Sequence, residues 1–285
     1  MICDGRLINA CFAYFTLALV YNYLWFHDAI IADAREVNNL RTLSRLLTLL
    51  ESLHADDWYK PTACTAWDVH DMVAHQAGGY LSGISLREML RQYTQIPKQG
   101  QLPEDAINAL QVGERKDKSP AELITELKQV GAKAIHNWAY GFNAVKWIHT
   151  PHPVGGFMSL RYLMWVTHSR DTWMHRLDIC RATNRPFEQT REHDGRIIEL
   201  VVRDVAQKLR KRLNGKAITL TLTGVSGGEW LLGNGKAVSG LEMGALDFNI
   251  FVSGRYSYEE GMRQARITGE KPLIESAFKD LLILY

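Results

Sequence analysis

The chain has 285 residues, 46% of them hydrophobic, and a formal net charge of +2. That length can bury one large core or two modest ones. The charges are mixed in sign, and no basic block carries interleaved aromatics, which argues against nucleic acid as a partner. Cys3, Cys11, Cys64 and Cys180 show neither a Cys-x-x-Cys step nor regular spacing, so a disulfide framework is not expected and a reducing cytosol fits best.

Residues 1–27 read as an apolar extension. Leu7 to Phe26 carries no charged residue, and its length just meets the about 20 apolar residues of a membrane span. Asn9, Thr16, Asn22 and several tyrosines weaken that reading, and only Arg6 supplies positive charge in front. Ala32-Asp-Ala34 resembles a signal-peptidase site but stands too far behind the apolar run. Three readings stay open: a signal anchor, a helix packed on the body, or an extension outside the working domain. Membrane contact is expected only if residues 7–26 act as an anchor.

From Ala29 to Leu53 the apolar residues fall at helical spacing, with Leu40, Leu43, Leu46, Leu47 and Leu50 along one stripe. Lys60 to Thr65 is a loop. Thr65 or Asp68 opens a second helix, which Gly78-Gly79 should loosen but which continues toward Gln92. Residues 97–118 read as a polar, irregular connection. Ser119-Pro120-Ala-Glu122 is an N-cap, a first-turn proline and an early acid, opening a third helix to about Tyr140. After a second connection, a fourth helix runs from about Ser159 to Thr183. Residues 28–183 are thus expected to form a four-helix bundle.

Residues 184–285 change character. Arg191 to Leu213 is amphipathic and helical, Ala217 to Gly224 alternates as a half-buried strand does, and Gly227 to Gly233 is its hairpin partner. Leu246 to Ser253 and Ala265 to Gly269 are expected as further strands, and Pro272 to Leu284 as a closing helix. The class expected is α+β, a helical bundle followed by a smaller mixed domain.

The chemistry concentrates in two Asp-x-x-x-His steps, Asp71 to His75 and Asp171 to His175, the only two of ten histidines with a carboxylate four residues upstream. On a helix that spacing stacks both side chains on one face, where they can share an ion. Imidazole and carboxylate from facing helices are how bundles build metal centres. A lone His75 on an apolar face is more often a hydrogen-bonded core histidine. Asp71 reads better as an acid near a helix N-terminus than as a ligand. His168 shares the helix face of Asp171 and could be a stand-in ligand or a thiol-pocket contact, though it reads better as a surface polar residue. Asp178, one turn beyond His175, could orient an imidazole or accept from Arg176 or Arg181. Trp67, Trp173 and Cys180 read as packing.

Pro61-Thr-Ala-Cys-Thr-Ala-Trp67 with Val73-Ala-His75, followed on a late helix by Asp171, His175 and Asp178, resembles the mycothiol-dependent maleylpyruvate isomerase family. A Gly254-Arg255 step is similar to the family's C-terminal Gly-Arg element. The resemblance implies a DinB-like bundle ahead of the small domain, and a divalent ion, zinc by the donor types, on His75, Asp171 and His175. It also implies mycothiol as the thiol partner of a small electrophilic acid, in isomerisation or S-transfer. Arg255 is the candidate catalytic residue, since a guanidinium forks onto a substrate carboxylate. One departure stands out: the middle ligand is Asp171 where the family has Glu, and a shorter carboxylate must sit closer to the ion. The C-terminal region also resembles sterol-carrier-like modules, so a lipid or ligand binder with a vestigial metal site is the alternative. A membrane-tethered regulator is a third.

Overall fold

The structure, a computed structural model, describes residues 35–95, 98, 103–141, 145, 147–152, 156–283 and 285. The apolar segment 7–26 and the Ala32-Asp-Ala34 step lie outside the described residues. Among the described residues no helix is long and apolar enough to cross a membrane.

The bundle starts with α1 (35–51), whose Leu43, Leu46 and Leu50 are buried. α2 (Val69–Ser82) opens at Asp68, whose side chain accepts from the Asp71 amide at 2.9 Å and so satisfies one of the helix's unpaired N-terminal donors. The expected single helix to Gln92 is two helices. α2 stops at Gly83, and α3 (Leu86–Tyr93) restarts under its own cap, Ser85. The segment 97–118, expected to be irregular, holds α4 (Pro103–Gly113), which packs against α2. α5 (Pro120–Tyr140) begins on the Ser119/Glu122 capping box that its sequence announces.

A short hairpin, β1 (His149–His152) and β2 (Gly156–Ser159), precedes the last bundle helix. That helix begins as α6 (Leu160–Tyr162), widens into a π turn at Leu163–Thr167, and continues as α7 (His168–Ala182). π turns gather at functional sites, and this one directly precedes the residues of interest.

The C-terminal part is α8 (Asp194–Arg212), β3 (Ala217–Thr223), β4 (Gly228–Gly233), β5 (Ala237–Gly244), α9 (Ala245–Val252), α10 (Tyr258–Arg263), β6 (Arg266–Gly269) and α11 (Lys271–Phe278). The sheet order is β4-β3-β5-β6, with β3 and β5 parallel and the other pairs antiparallel. The class is α+β. Two expectations fail here. Leu246 to Ser253 is not a strand but the body of α9, and the strand is the preceding β5. A short apolar run buried on most sides has no periodicity that separates strand from helix. The closing helix is shorter than expected, ending at Phe278.

Two apolar cores result. One lies among α1, α2, α5 and the π turn. The other packs Val201, Val205 and Leu209 of α8 against Ile218 and Leu220 of β3 and Phe248 of α9. Helix α7 serves both: Ile179 joins the first core, while Trp173, Met174 and Leu177 join the second. Buried over nearly its whole circumference, α7 is held from both sides, a rigid support for polar side chains aimed into the bundle.

Candidate metal centre

Helix α2 supplies His75, and α7 supplies Asp171 and His175. Asp171 Oδ2 lies 3.4 Å from His75 Nε2, and Asp171 Oδ1 lies 3.1 Å from His175 Nε2. One ligating atom from each of the three residues falls within 4.8 Å of the others. Ligands of a tetrahedral zinc ion at about 2.1 Å stand roughly 3.4 Å apart, so the spacing suits such an ion.

The outer sides of both imidazoles are engaged. His75 Nδ1 is 2.7 Å from Gln111 Oε1 on α4. The amide of Gln111 cannot turn around, because its Nε2 donates to Gln92 Oε1 at 2.8 Å. Gln92 is fixed in turn, its own Nε2 donating to the Gly78 carbonyl and to Glu88. The oxygen of Gln111 therefore faces Nδ1, which must carry a hydrogen, and His75 Nε2 is left as the atom directed at the Asp171 carboxylate. A proton or a metal ion placed between Nε2 and the carboxylate satisfies both. The donor set thus fits a divalent ion.

Gly78 makes this contact possible. A Cβ there would stand 2.5 Å from Gln111 Cγ, so the glycine expected to loosen α2 instead lets α4 close onto it. Asp171 is anchored in the same manner. Gln76 Nε2 donates to Asp171 Oδ2 at 2.5 Å, while Gln76 Oε1 accepts from Thr172 Oγ1 at 2.8 Å.

On the far side of His175, Asp178 Oδ2 lies 3.4 Å from Nδ1, an ionic contact without good hydrogen-bond geometry. Asp178 is clamped by Arg255, with Nε at 2.8 Å from Oδ1 and Nη2 at 2.6 Å from Oδ2. Burial pushes the Asp178 carboxyl up, but His175 and Arg255 outweigh it and hold the group below its ordinary value. Burial likewise pushes His175 down, yet Asp171 and Asp178 together raise it to about 9. Asp171 is held well below the usual carboxylate range, burial being overcome by His175 and His75.

Trp67 covers both ligands, its ring centroid 4.9 Å from that of His75 and 6.1 Å from that of His175. The loop bearing it is tied by the Thr62 hydroxyl donating to the Trp67 carbonyl at 2.8 Å. The ligands open into a cavity of about 490 Å³, within the size range of small-molecule sites.

The profile of the mycothiol maleylpyruvate isomerase N-terminal domain matches residues 40–180. Residues 40–180 thus carry this family's N-terminal domain. Two solved structures, of the mycothiol-dependent maleylpyruvate isomerase and of a histidine-to-alanine mutant of it, superpose with a TM-score of 0.52 at 16% identity. Each alignment covers 85% of this chain and 95% of the other, and at that identity the likeness carries the fold. No curated protein matches the chain.

The other singled-out residues take varied places. Arg255 does not line the cavity. It follows α9 rather than a strand, and its guanidinium is given to Asp178, with Cys64 Sγ 4.0 Å from Nη2 on the cavity side. Asp71 stays near the N-terminus of α2 and joins a different acidic group, with Asp68 and His70. His168 is a correction: instead of lying on the surface, it forms part of the cavity wall, stacked on Trp138 at 4.4 Å, and burial lowers it to about 4. Trp67, expected as packing, is a wall as well. Trp173 is packing, with its indole donating to Asp194 at 2.8 Å, and Cys180 is buried, its thiol pushed by burial to about 11. Gln76, Gln92 and Gln111 were missed. Gln76 adjoins His75 in sequence, but nothing local marks the other two.

Proposed function

We propose that this protein is a metal-dependent enzyme that uses a low-molecular-weight thiol, mycothiol, to isomerise a small electrophile or to transfer the thiol sulfur onto it. His75, Asp171 and His175 would hold the divalent ion, zinc by donor type. The observation that carries the reading is the convergence of two imidazole Nε2 atoms and one carboxylate at a cavity, with each nitrogen's partner atom already facing an acceptor. Such outer partners are what orient ligands in metal centres.

A divalent cation, when bound, favours thiolate over thiol and so supplies a nucleophile near neutral pH. The chain's own residues do the rest. Gln111 keeps the His75 lone pair directed inward, Gln76 fixes Asp171, and the Arg255–Asp178 pair backs His175. Trp67 shields the ligand rings from water. Under this reading Arg255 is a positioning residue acting through Asp178. Cys64 and Cys180 are free thiols among the described residues, and a reducing cytoplasm would keep them so.

The lipid-binding alternative has less to support it. The interior of the C-terminal part is filled by side chains, and its trough of about 430 Å³ lies on the sheet, lined by polar groups such as Thr219, Glu242, Arg266 and Thr268.

The test is metal analysis of purified wild type and His75→Ala, followed by thiol-dependent turnover of electrophiles. Wild type should carry close to one ion per chain and the variant little. Equal metal content in both, or turnover indifferent to the thiol, ends the reading.

A further inference from the structure

The charges around the cavity say which electrophiles it admits. Its charged lining among the described residues consists of carboxylates, Asp171 and Glu104, with no lysine or arginine. Arg255 sits behind Cys64, has a side chain only 12% exposed, and is already neutralised by Asp178; Arg115 behind Gln111 and Arg170 behind Tyr285 are likewise paired, with Glu126 and Asp204. His168, the one imidazole of the wall outside the ligand set, is neutral at physiological pH because burial lowers it to about 4. Much of the remaining wall is apolar or aromatic: Trp67, Tyr93, Ile107, Leu160, Leu163 and Tyr285.

Resting on the thiol-dependent reading above, we infer that the electrophile this cavity takes is an uncharged, largely apolar molecule, and not the carboxylic acid expected from the family resemblance. The charge count gives the reason. A divalent ion is balanced by the Asp171 carboxylate and one thiolate, so a substrate carboxylate meets no surplus positive charge at the centre. Burying an ionised carboxylate without a cationic partner costs several kcal/mol, whereas an uncharged ester or aryl group loses far less on leaving water for such a wall.

The chemistry suits this class. For an uncharged cis-alkene diester, the thiolate sulfur bonds to one alkene carbon and the π pair moves to the other, stabilised by its carbonyl. Rotation about the resulting single bond and expulsion of the thiolate give the trans diester. Capture of a solvent proton at the second carbon gives the thioether instead. Each route balances without oxidant or reductant.

Two measurements on the intact protein test the inference. The first compares dimethyl maleate with maleate, each with mycothiol and the zinc-loaded protein, and each rate divided by that of the same thiol alone. The ester should be accelerated at least tenfold more than the diacid. The second needs neither thiol nor turnover: ligand-observed NMR with methyl phenylacetate and phenylacetate, where the ester should bind at least tenfold more tightly. Leu163→Arg, which places a cation in the wall, should shift both preferences toward the acids. Equal or stronger binding of phenylacetate, binding of neither ligand, or greater acceleration of maleate overturns the inference. If the NMR preference holds while neither maleate compound is accelerated, the charge assignment stands and the thiol-dependent reading falls.

Discussion

Gln111 Oε1 on α4 lies 2.7 Å from His75 Nδ1 on α2, and this one contact settles which nitrogen of His75 is free to bind a cation. It is the end of a chain of amide orientations running from Glu88 through Gln92. Removing an outer partner of a metal-bound histidine commonly costs 10–100-fold in metal affinity, as an order of magnitude. Gln111→Ala should therefore weaken zinc binding by roughly that factor while leaving the helical content unchanged. Gly78→Ala should do much the same, because its methyl would occupy the space of Gln111 Cγ. Chelator competition on both variants reads the effect, and wild-type affinity in folded Gln111→Ala would refute the role.

Arg255 separates two roles by where its loss is felt. Its guanidinium holds Asp178, whose side chain is fully buried against His175. Arg255→Ala should lower zinc affinity, on the order of tenfold, whichever electrophile is offered. Arg255→Lys should restore part of it, since a lysine keeps the charge but not the two-pronged geometry. A variant with normal metal affinity and a raised KM confined to acidic substrates would instead place Arg255 on the substrate.

Asp194 is a structural hub rather than part of the centre. Fully buried at the start of α8, it accepts from Arg176 at 2.9 Å, Arg45 at 3.0 Å, Trp173 Nε1 at 2.8 Å and the Thr190 amide at 2.7 Å. Asp194→Ala strands the buried Arg176 guanidinium, and breaking such a pair from one side costs about 3–5 kcal/mol. Urea denaturation should show a loss of that size, with Asp194→Asn milder because it can still accept from Trp173.

His193 gives the fold a defined response to acid. The ring is buried between Thr42 Oγ1 at 3.3 Å and Asn38 Oδ1 at 3.1 Å, and burial lowers its pKa from the ordinary 6.5 to about 4, with Arg45 and Arg176 adding to the effect against Asp194. As pH falls, the unfolded chain takes up this proton first. The contribution of neutral His193 is thus complete above about pH 6.5 and is lost progressively down to about pH 4. Denaturation midpoints should fall more steeply over that window in wild type than in His193→Gln. Parallel slopes in the two proteins would show that His193 is not the sensor.

Local spacing determined a good deal by itself. Asp171 and His175 had to share a face because four residues make one helical turn, and Ser119-Pro120-Ala-Glu122 had to start α5 because it satisfies the free amides of a helix end. The helical bundle followed from stripes of leucine, and β3 from strict alternation. What reaches across the chain was decided by packing. Gln111 is 36 residues from His75, and Arg255 is 77 from Asp178. Those partners are set by how closely α4 approaches Gly78 and by where α9 delivers Arg255, and neither quantity has a period or a motif. The same holds for α9, where an apolar run became a helix because its surroundings bury it, and for His168, whose polar side chain turned inward because the bundle closes over it. Sequence spacing fixed which side chains could share one ion. Only the tertiary packing fixed which atoms orient them and which charged groups line the cavity, because both depend on contacts between elements distant in the chain.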